Sequence, residues 1–225
     1  METSLHRQLK EHYAVDATKQ EVALEGYRID AVRNGRLIEI QHGSLAAIRD
    51  KIAALLKNHR VIVVKPIIAT KQLVKLDSKG GEEVDRRRSP KRGQMLDMFD
   101  ELVYFTRVFP HKRLTLEVAL VEVEELRYPG HGRRRRRREN DFQVEDQLLT
   151  RIVETHRFRT LTDLRRLLPT KLPASFHTGH LAEMMGIRRQ VAQRIAYFLR
   201  ETGAIYIVGK QGNAVLYSRR KRAAA

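Results

Sequence analysis

Apolar positions change period early in the chain. Leu5, Leu9 and Tyr13 recur at helical spacing, which places them on one side of a helix over Ser4–Ala14. From Glu21 to Gln41, EVALEGYRIDAVRNGRLIEIQ, the period drops to that of half-buried strands. Glu25-Gly26 and Asn34-Gly35 are two-residue turn signals, so the stretch predicts three short strands joined by tight hairpins. Closing the first hairpin at Glu25-Gly26 sets Leu24 opposite Tyr27, Ala23 opposite Arg28, Val22 opposite Ile29 and Glu21 opposite Asp30. Val22, Leu24, Tyr27, Ile29 and Ala31 then form one apolar face, with Glu21 and Asp30 on the other. On the third strand, Arg36 to Gln41, Glu39 and Gln41 share a face while Ile38 and Ile40 point away.

Further along, Ser44 is placed to cap a helix over Leu45–His59, whose stripe is Leu45, Ile48, Ile52, Leu55 and Leu56. Arg60 to Ile68, RVIVVKPII, is a β-branched run that suits a buried strand reached by a crossover and parallel to the third. Gln72 to Arg88 reads as a hairpin through Ser78–Gly81. It leads into the basic segment Arg86-Arg87-Arg88-Ser89-Pro90-Lys91-Arg92, either a solvated loop or a phosphate-contacting rim. Met95–Arg107 reads as a helix, Leu114–Leu126 as a long strand, and Glu145–His156 as a helix with Leu148, Leu149, Ile152 and Val153 inward. Thr160 and Asp163 are spaced like a capping pair. A short helix around Leu181, Ala182 and Met185 ends at Gly186. A second, Arg188–Glu201, carries Val191, Ile195, Phe198 and Leu199 and stops at Gly203. Strands Ala204–Val208 and Ala214–Ser218 follow, joined across Gly209–Asn213.

The 225 residues contain no Cys, which excludes disulfides and thiolate zinc sites and fits a reducing cytoplasm. The first residues are charged without an apolar leader, and no run reaches a membrane span, so no membrane partner is expected. The formal net charge is +17, distributed as +4 over residues 1–128, +4 over 129–141 and +9 over 142–225. An excess so concentrated implies a polyanionic partner, nucleic acid before acidic lipid. Pro129-Gly130-His131-Gly132 followed by Arg133, Arg134, Arg135, Arg136, Arg137 and Arg138 predicts a basic linker over 129–141 between domains 1–128 and 142–225. It is either a solvated spacer or an arm on the phosphate backbone.

Two readings of the acidic residues stand side by side: the solvated face of an edge hairpin, or a site for a divalent metal. The order helix, three strands, helix, strand, with Asp30 on the second strand and Glu39-Ile40-Gln41 on the third, resembles the PD-(D/E)xK nuclease superfamily over roughly the first 70 residues. The resemblance implies an α/β fold class, a mixed-sheet restriction-endonuclease-like core in the order αβββαβ. It implies that Asp30, Glu39 and the Ile40 carbonyl hold Mg²⁺ or Mn²⁺, which activates water for phosphodiester cleavage. The catalytic set is then Asp30, Glu39, Gln41, Glu21 and Lys65. Gln41 stands where the family usually has Lys, Ile29 precedes Asp30 where it has Pro, and Lys65 is the candidate for the missing cation. Glu11 lies off the apolar stripe, so Glu21 is the preferred additional carboxylate.

The C-terminal segments resemble a winged helix-turn-helix, a mainly α domain. Arg188, Arg189, Gln190, Gln193 and Arg194 would lie on or near the exposed face of its recognition helix, and Lys210 in its wing. A helix of this kind can instead dock a protein. The function implied is metal-dependent DNA endonuclease action, with duplex DNA as partner, a cytoplasmic location and homodimerisation left open. The alternatives are a catalytically inactive nuclease-like DNA-binding regulator and an RNA-processing nuclease.

Overall fold

The structure is a computed structural model that describes residues 3–14, 17–130 and 141–219. Arg133 to Arg138 lie outside the described residues. The fold is mixed α/β. Helix α1 (Ser4–Tyr13) begins at Thr3, whose side chain accepts from the His6 N–H. Strands β1 (Gln20–Leu24), β2 (Tyr27–Arg33) and β3 (Arg36–Ile40) form two successive antiparallel hairpins. Both turns carry a pair of positive φ angles, 50° and 79° at Glu25-Gly26 and 49° and 66° at Asn34-Gly35. This is the turn type whose twist matches paired strands, and glycine adopts it without the Cβ penalty. The expected pairings Leu24–Tyr27, Ala23–Arg28 and Val22–Ile29 are all present.

The helix expected over Leu45–His59 is shorter: a 3₁₀ turn at Leu45–Ile48, then α2 (Arg49–Leu55). Strand β4 runs through Arg60–Leu76, so the first arm of the hairpin expected from Gln72 is the continuation of the same strand. Its partner β5 (Glu83–Arg88) is exposed along its whole length. The helix expected over Met95–Arg107 is confined to a 3₁₀ turn and α3 (Phe99–Leu102).

Strands β6 (Leu114–Pro129) and β7 (Phe142–Phe158) complete the large sheet, in the order β1-β2-β3-β4-β6-β7 with β5 on β4. The helix expected over Glu145–His156 is therefore corrected to a strand. Its four apolar residues fit a helical face, but Val144, Thr150, Ile152, Val153 and Thr155 are β-branched, and pairing with β6 decides the outcome. The Gly130 N–H donates to the Asp141 carbonyl at 3.2 Å, so the segment expected as an interdomain linker connects two neighbouring strands. The start of the expected C-terminal domain at 142 is corrected accordingly. Then come α4 (Leu161–Arg165), α5 (Thr178–Met185), α6 (Arg189–Glu201) and the hairpin of β8 (Tyr206–Gln211) and β9 (Ala214–Ser218).

The chain divides into two compact units. One comprises Met1–His42, Val64–Met95 and Val118–His156; the other comprises Gly43–Val63, Leu96–Glu117 and Arg157–Ala225. In the first, Leu5, Leu9 and Tyr13 of α1 are buried along with Ile29, Ala31, Ile38 and Ile40 of the hairpins. In the second, the Phe198 ring stands 5.6 Å from that of Phe99, edge to face, and 6.4 Å from that of Phe109, stacked. Among the described residues, no helix is long and apolar enough to cross a membrane.

Candidate functional site

In the first unit, the β2–β3 ladder sets Arg33 opposite Arg36, Val32 opposite Leu37 and Ala31 opposite Ile38. Continuing that register sets Asp30 opposite Glu39, on the face away from Ala31 and Ile38. The ladder changes character there. The Ile40 N–H donates to Asp30 Oδ2 at 2.7 Å, so a carboxylate stands in for a backbone carbonyl and is held in orientation. Glu39 is buried, at 3% exposure. Burying a carboxylate is costly, and Glu39 lies across the ladder from a second one, Asp30.

Around this pair the structure gathers further polar groups. Gln41 is half-buried, and its N–H donates to the Val64 carbonyl of β4 at 2.9 Å. Lys65 is buried, and its Nζ donates to the His42 carbonyl at 2.9 Å, which anchors a cation just past the end of β3. His6, on α1, brings Nε2 to 3.3 Å from Asp30 Oδ1. Further along β4, Lys71 pairs with buried Glu125 of β6, which also accepts from Arg127 Nε at 2.6 Å and Gln147 Nε2 at 2.7 Å. Burial pushes the Glu125 carboxyl up, but the hydrogen bonds from Lys71, Gln147 and Arg127 outweigh it and leave it below the usual carboxylate range.

Glu21 takes another part. Its φ of 53° lies in the left-handed region, and its carboxylate is paired with Lys10 and Arg28. Glu11 is exposed on α1. The α1 residue at the carboxylate pair is instead His6, which no sequence signal distinguished: it lies one position past Leu5, beside the apolar stripe. His42, Lys71 and Glu125 were equally silent, because only the sheet brings β3, β4 and β6 together.

His42 is exposed as a residue, yet its ring is partly desolvated and stands in the fields of Lys65, Lys71 and His6. All four effects lower its pKa from the ordinary 6.5. The unfolded chain then binds a proton more readily than the folded one. Stability should be full above pH 6.5 and fall as pH drops below it. His42→Gln should flatten that acid-side decline in urea midpoints; an unchanged decline would assign it to other groups.

In the second unit, α5 ends on left-handed Gly186 (φ 62°), and α6 starts three residues later with Arg188 as its N-cap. Arg188, Arg189, Gln190, Gln193 and Tyr197 are exposed, whereas Arg194 is half-buried and paired with Asp100 of α3. The Arg200 guanidinium lies 5.3 Å from the Tyr197 ring centre. Lys210 is exposed on β8.

The candidate donors of the first unit are hard oxygens, the Asp30 and Glu39 carboxylates and the backbone carbonyl of Ile40. Such a set fits a small hard cation that keeps several waters. Among the described residues, no three His, Cys, Asp or Glu side chains form a ligating cluster, so this pair would draw its remaining ligands from carbonyl and water.

Comparisons place the chain among relatives. A protein of Treponema pallidum (strain Nichols), described as an uncharacterized protein, is 29% identical over 218 residues, covering 96% of this chain and 84% of that one. No solved structure matches. The model of a domain of unknown function, DUF8091, matches residues 3–159, from the start of α1 through β7 and short of α4. That match spans more than half of the 225 residues, and the chain belongs to the DUF8091 family.

Proposed function

We propose that the protein is a metal-dependent DNA endonuclease whose sheet carries the chemistry and whose C-terminal helices bind duplex DNA. The observation that carries this reading is the placing of Asp30 opposite Glu39, with the Asp30 carboxylate held by the Ile40 N–H. It is supported by the element order αβββαβ of a PD-(D/E)xK core. In this reading Asp30, Glu39 and the Ile40 carbonyl hold Mg²⁺ or Mn²⁺. The ion, when bound, lowers the pKa of water and stabilises charge on the phosphate. Gln41 orients water by hydrogen bonding, and Lys65 supplies the positive charge that Gln41 lacks. His6 keeps the Asp30 carboxylate turned toward α1.

The second half of the reading is a winged helix-turn-helix. It is supported by the succession α5, left-handed Gly186, α6 and the β8–β9 hairpin, and by the Phe176–Tyr217 bridge that ties the hairpin to the segment before α5. Arg188, Arg189, Gln190 and Gln193 would face the bases and Lys210 the backbone, with Arg194 released from Asp100. The location is the cytoplasm, and self-association into a homodimer belongs to the same proposal.

Gln41 is the one feature that favours a second reading, a DNA-binding regulator that no longer cuts. The test is incubation with plasmid, linear duplex, single-stranded and branched DNA, and with RNA, in Mg²⁺, Mn²⁺ or EDTA. Metal-dependent cleavage of DNA supports the endonuclease, and preferential loss of RNA moves the substrate class. Binding in EDTA with no cleavage in either metal assigns the regulator. In an active protein, Gln41→Ala should lower the rate about tenfold or more if the side chain handles water. Unchanged activity would end the resemblance of the triplet at Glu39.

A further inference from the structure

We infer that Arg87, Arg88, Lys91 and Arg92, on β5 and the segment after it, form a clamp for the phosphates of duplex DNA in the unit that carries the Asp30–Glu39 pair. The inference rests on the DNA reading above and adds a substrate-holding surface within the unit that carries the carboxylates.

The Val64 carbonyl of β4 accepts from Gln41 N–H at the end of β3, and the Ile68 carbonyl accepts from Gly93 N–H at 3.0 Å. Carbonyls alternate sides along an extended strand, so these two point to the same edge. The Gly93 end of the segment therefore follows β3 along that edge, about 13 Å further on at strand rise. Its closeness is fixed by residue type: a Cβ on Gly93 would lie 2.4 Å from the Ile68 carbonyl oxygen. At the other end, Ser89 is buried, its N–H donates to the Lys71 carbonyl at 2.8 Å, and its Oγ accepts from Lys91 N–H at 3.3 Å. Residues 89–93 are thus pinned to β4 at both ends, with Lys91 and Arg92 exposed between the pins.

The strand leading in extends the same charge. Arg88 is opposite Gln72 and Arg87 opposite Leu73, and every residue of β5 is exposed. Arg86 is different: Glu83 and Glu124 take up its guanidinium, so the clamp begins at Arg87. The acidic residues of this hairpin, Asp77, Glu82, Glu83 and Asp85, are on the tip side, and the cations from Arg87 onward lead back to β4. An exposed run of Arg and Lys in the unit that carries the carboxylates suits a polyanion held by its backbone.

The test uses the full chain, with duplex binding measured by fluorescence anisotropy in EDTA across a salt series. Replacing all four residues by Ala should make the plot of log affinity against log salt shallower by roughly 3–4, near 0.9 for each phosphate no longer neutralised, with unchanged melting temperature. Arg92→Ala alone should remove about 1, while Lys79→Ala at the exposed hairpin tip removes the same charge and should leave the slope unchanged. If the fourfold variant melts early, the comparison of Arg92→Ala with Lys79→Ala decides. Wild-type slope in Arg92→Ala, or equal losses in Arg92→Ala and Lys79→Ala, overturns the clamp and leaves the DNA reading in place. A wild-type protein with no DNA affinity at low salt overturns both.

Discussion

Asp30→Asn and Glu39→Gln are each expected to abolish metal-dependent cleavage while leaving duplex binding in EDTA unchanged. In the proposed endonuclease a bound metal would supply several kcal/mol of charge stabilisation, and each ~1.4 kcal/mol is a factor of ten, so the rate should fall at least about 100-fold. The amide replacements are chosen for the fold. Asn at position 30 keeps an oxygen that can accept from the Ile40 N–H, so the local backbone hydrogen bond survives. Gln at position 39 keeps the volume of a side chain that is 3% exposed and removes a buried charge. The measurement is initial cleavage rate beside anisotropy in EDTA. Wild-type cleavage by either variant would sink the metal-site assignment; a parallel loss of DNA binding would mean that the carboxylates hold the fold.

Phe198→Ala should be the most destabilising single change in the second unit. The ring is fully buried between Phe99 and Phe109, and Ile195 and Leu199 of the same helix are fully buried as well. Truncating a buried Phe costs about 3–5 kcal/mol through lost transfer energy and the cavity left behind, or roughly 6–20 °C in melting temperature for a chain of this size. Phe198→Leu should recover much of the loss, since it refills most of the volume. A shift under about 2 °C in the Ala variant, read by calorimetry, would show that the aromatic cluster does not hold α6 in place. DNA affinity in this variant separates the roles of α6. If binding survives while stability falls, the exposed side chains Arg189 and Gln193 do not need the helix to be held by its buried face.

How far the chain could be read from its residues depended on the range of the forces involved. The two hairpins were legible to the residue, because Glu25-Gly26 and Asn34-Gly35 set turn geometry locally and period-two alternation sets the faces. The capping pair Thr160–Asp163, the end of α5 at Gly186 and the end of α6 at Glu201 were legible for the same reason: caps and turns are contacts among near neighbours in sequence. The convergence of Asp30 and Glu39 on one face followed from that register alone.

What only the tertiary structure decided is the set of pairings between residues far apart in the chain. Phe142–Phe158 carries a helical apolar pattern, yet it is a strand because β6 offers an edge to pair with, and no local signal reveals that edge. The same cause makes β6 and β7, on either side of the expected linker 129–141, neighbours in one sheet. It also brings Lys71 to Glu125, and Gly93 to the edge of β4 that β3 leaves. His6 reaches Asp30, and Lys10 with Arg28 takes Glu21, because α1 packs its Leu5 and Leu9 face against the hairpins, which aims the flanking polar residues at the sheet. Sequence thus determined which side chains share a strand face; burial and long-range strand pairing determined which of those faces meet, because the hydrophobic effect and ladder hydrogen bonds act on neighbours in space whatever their distance along the chain.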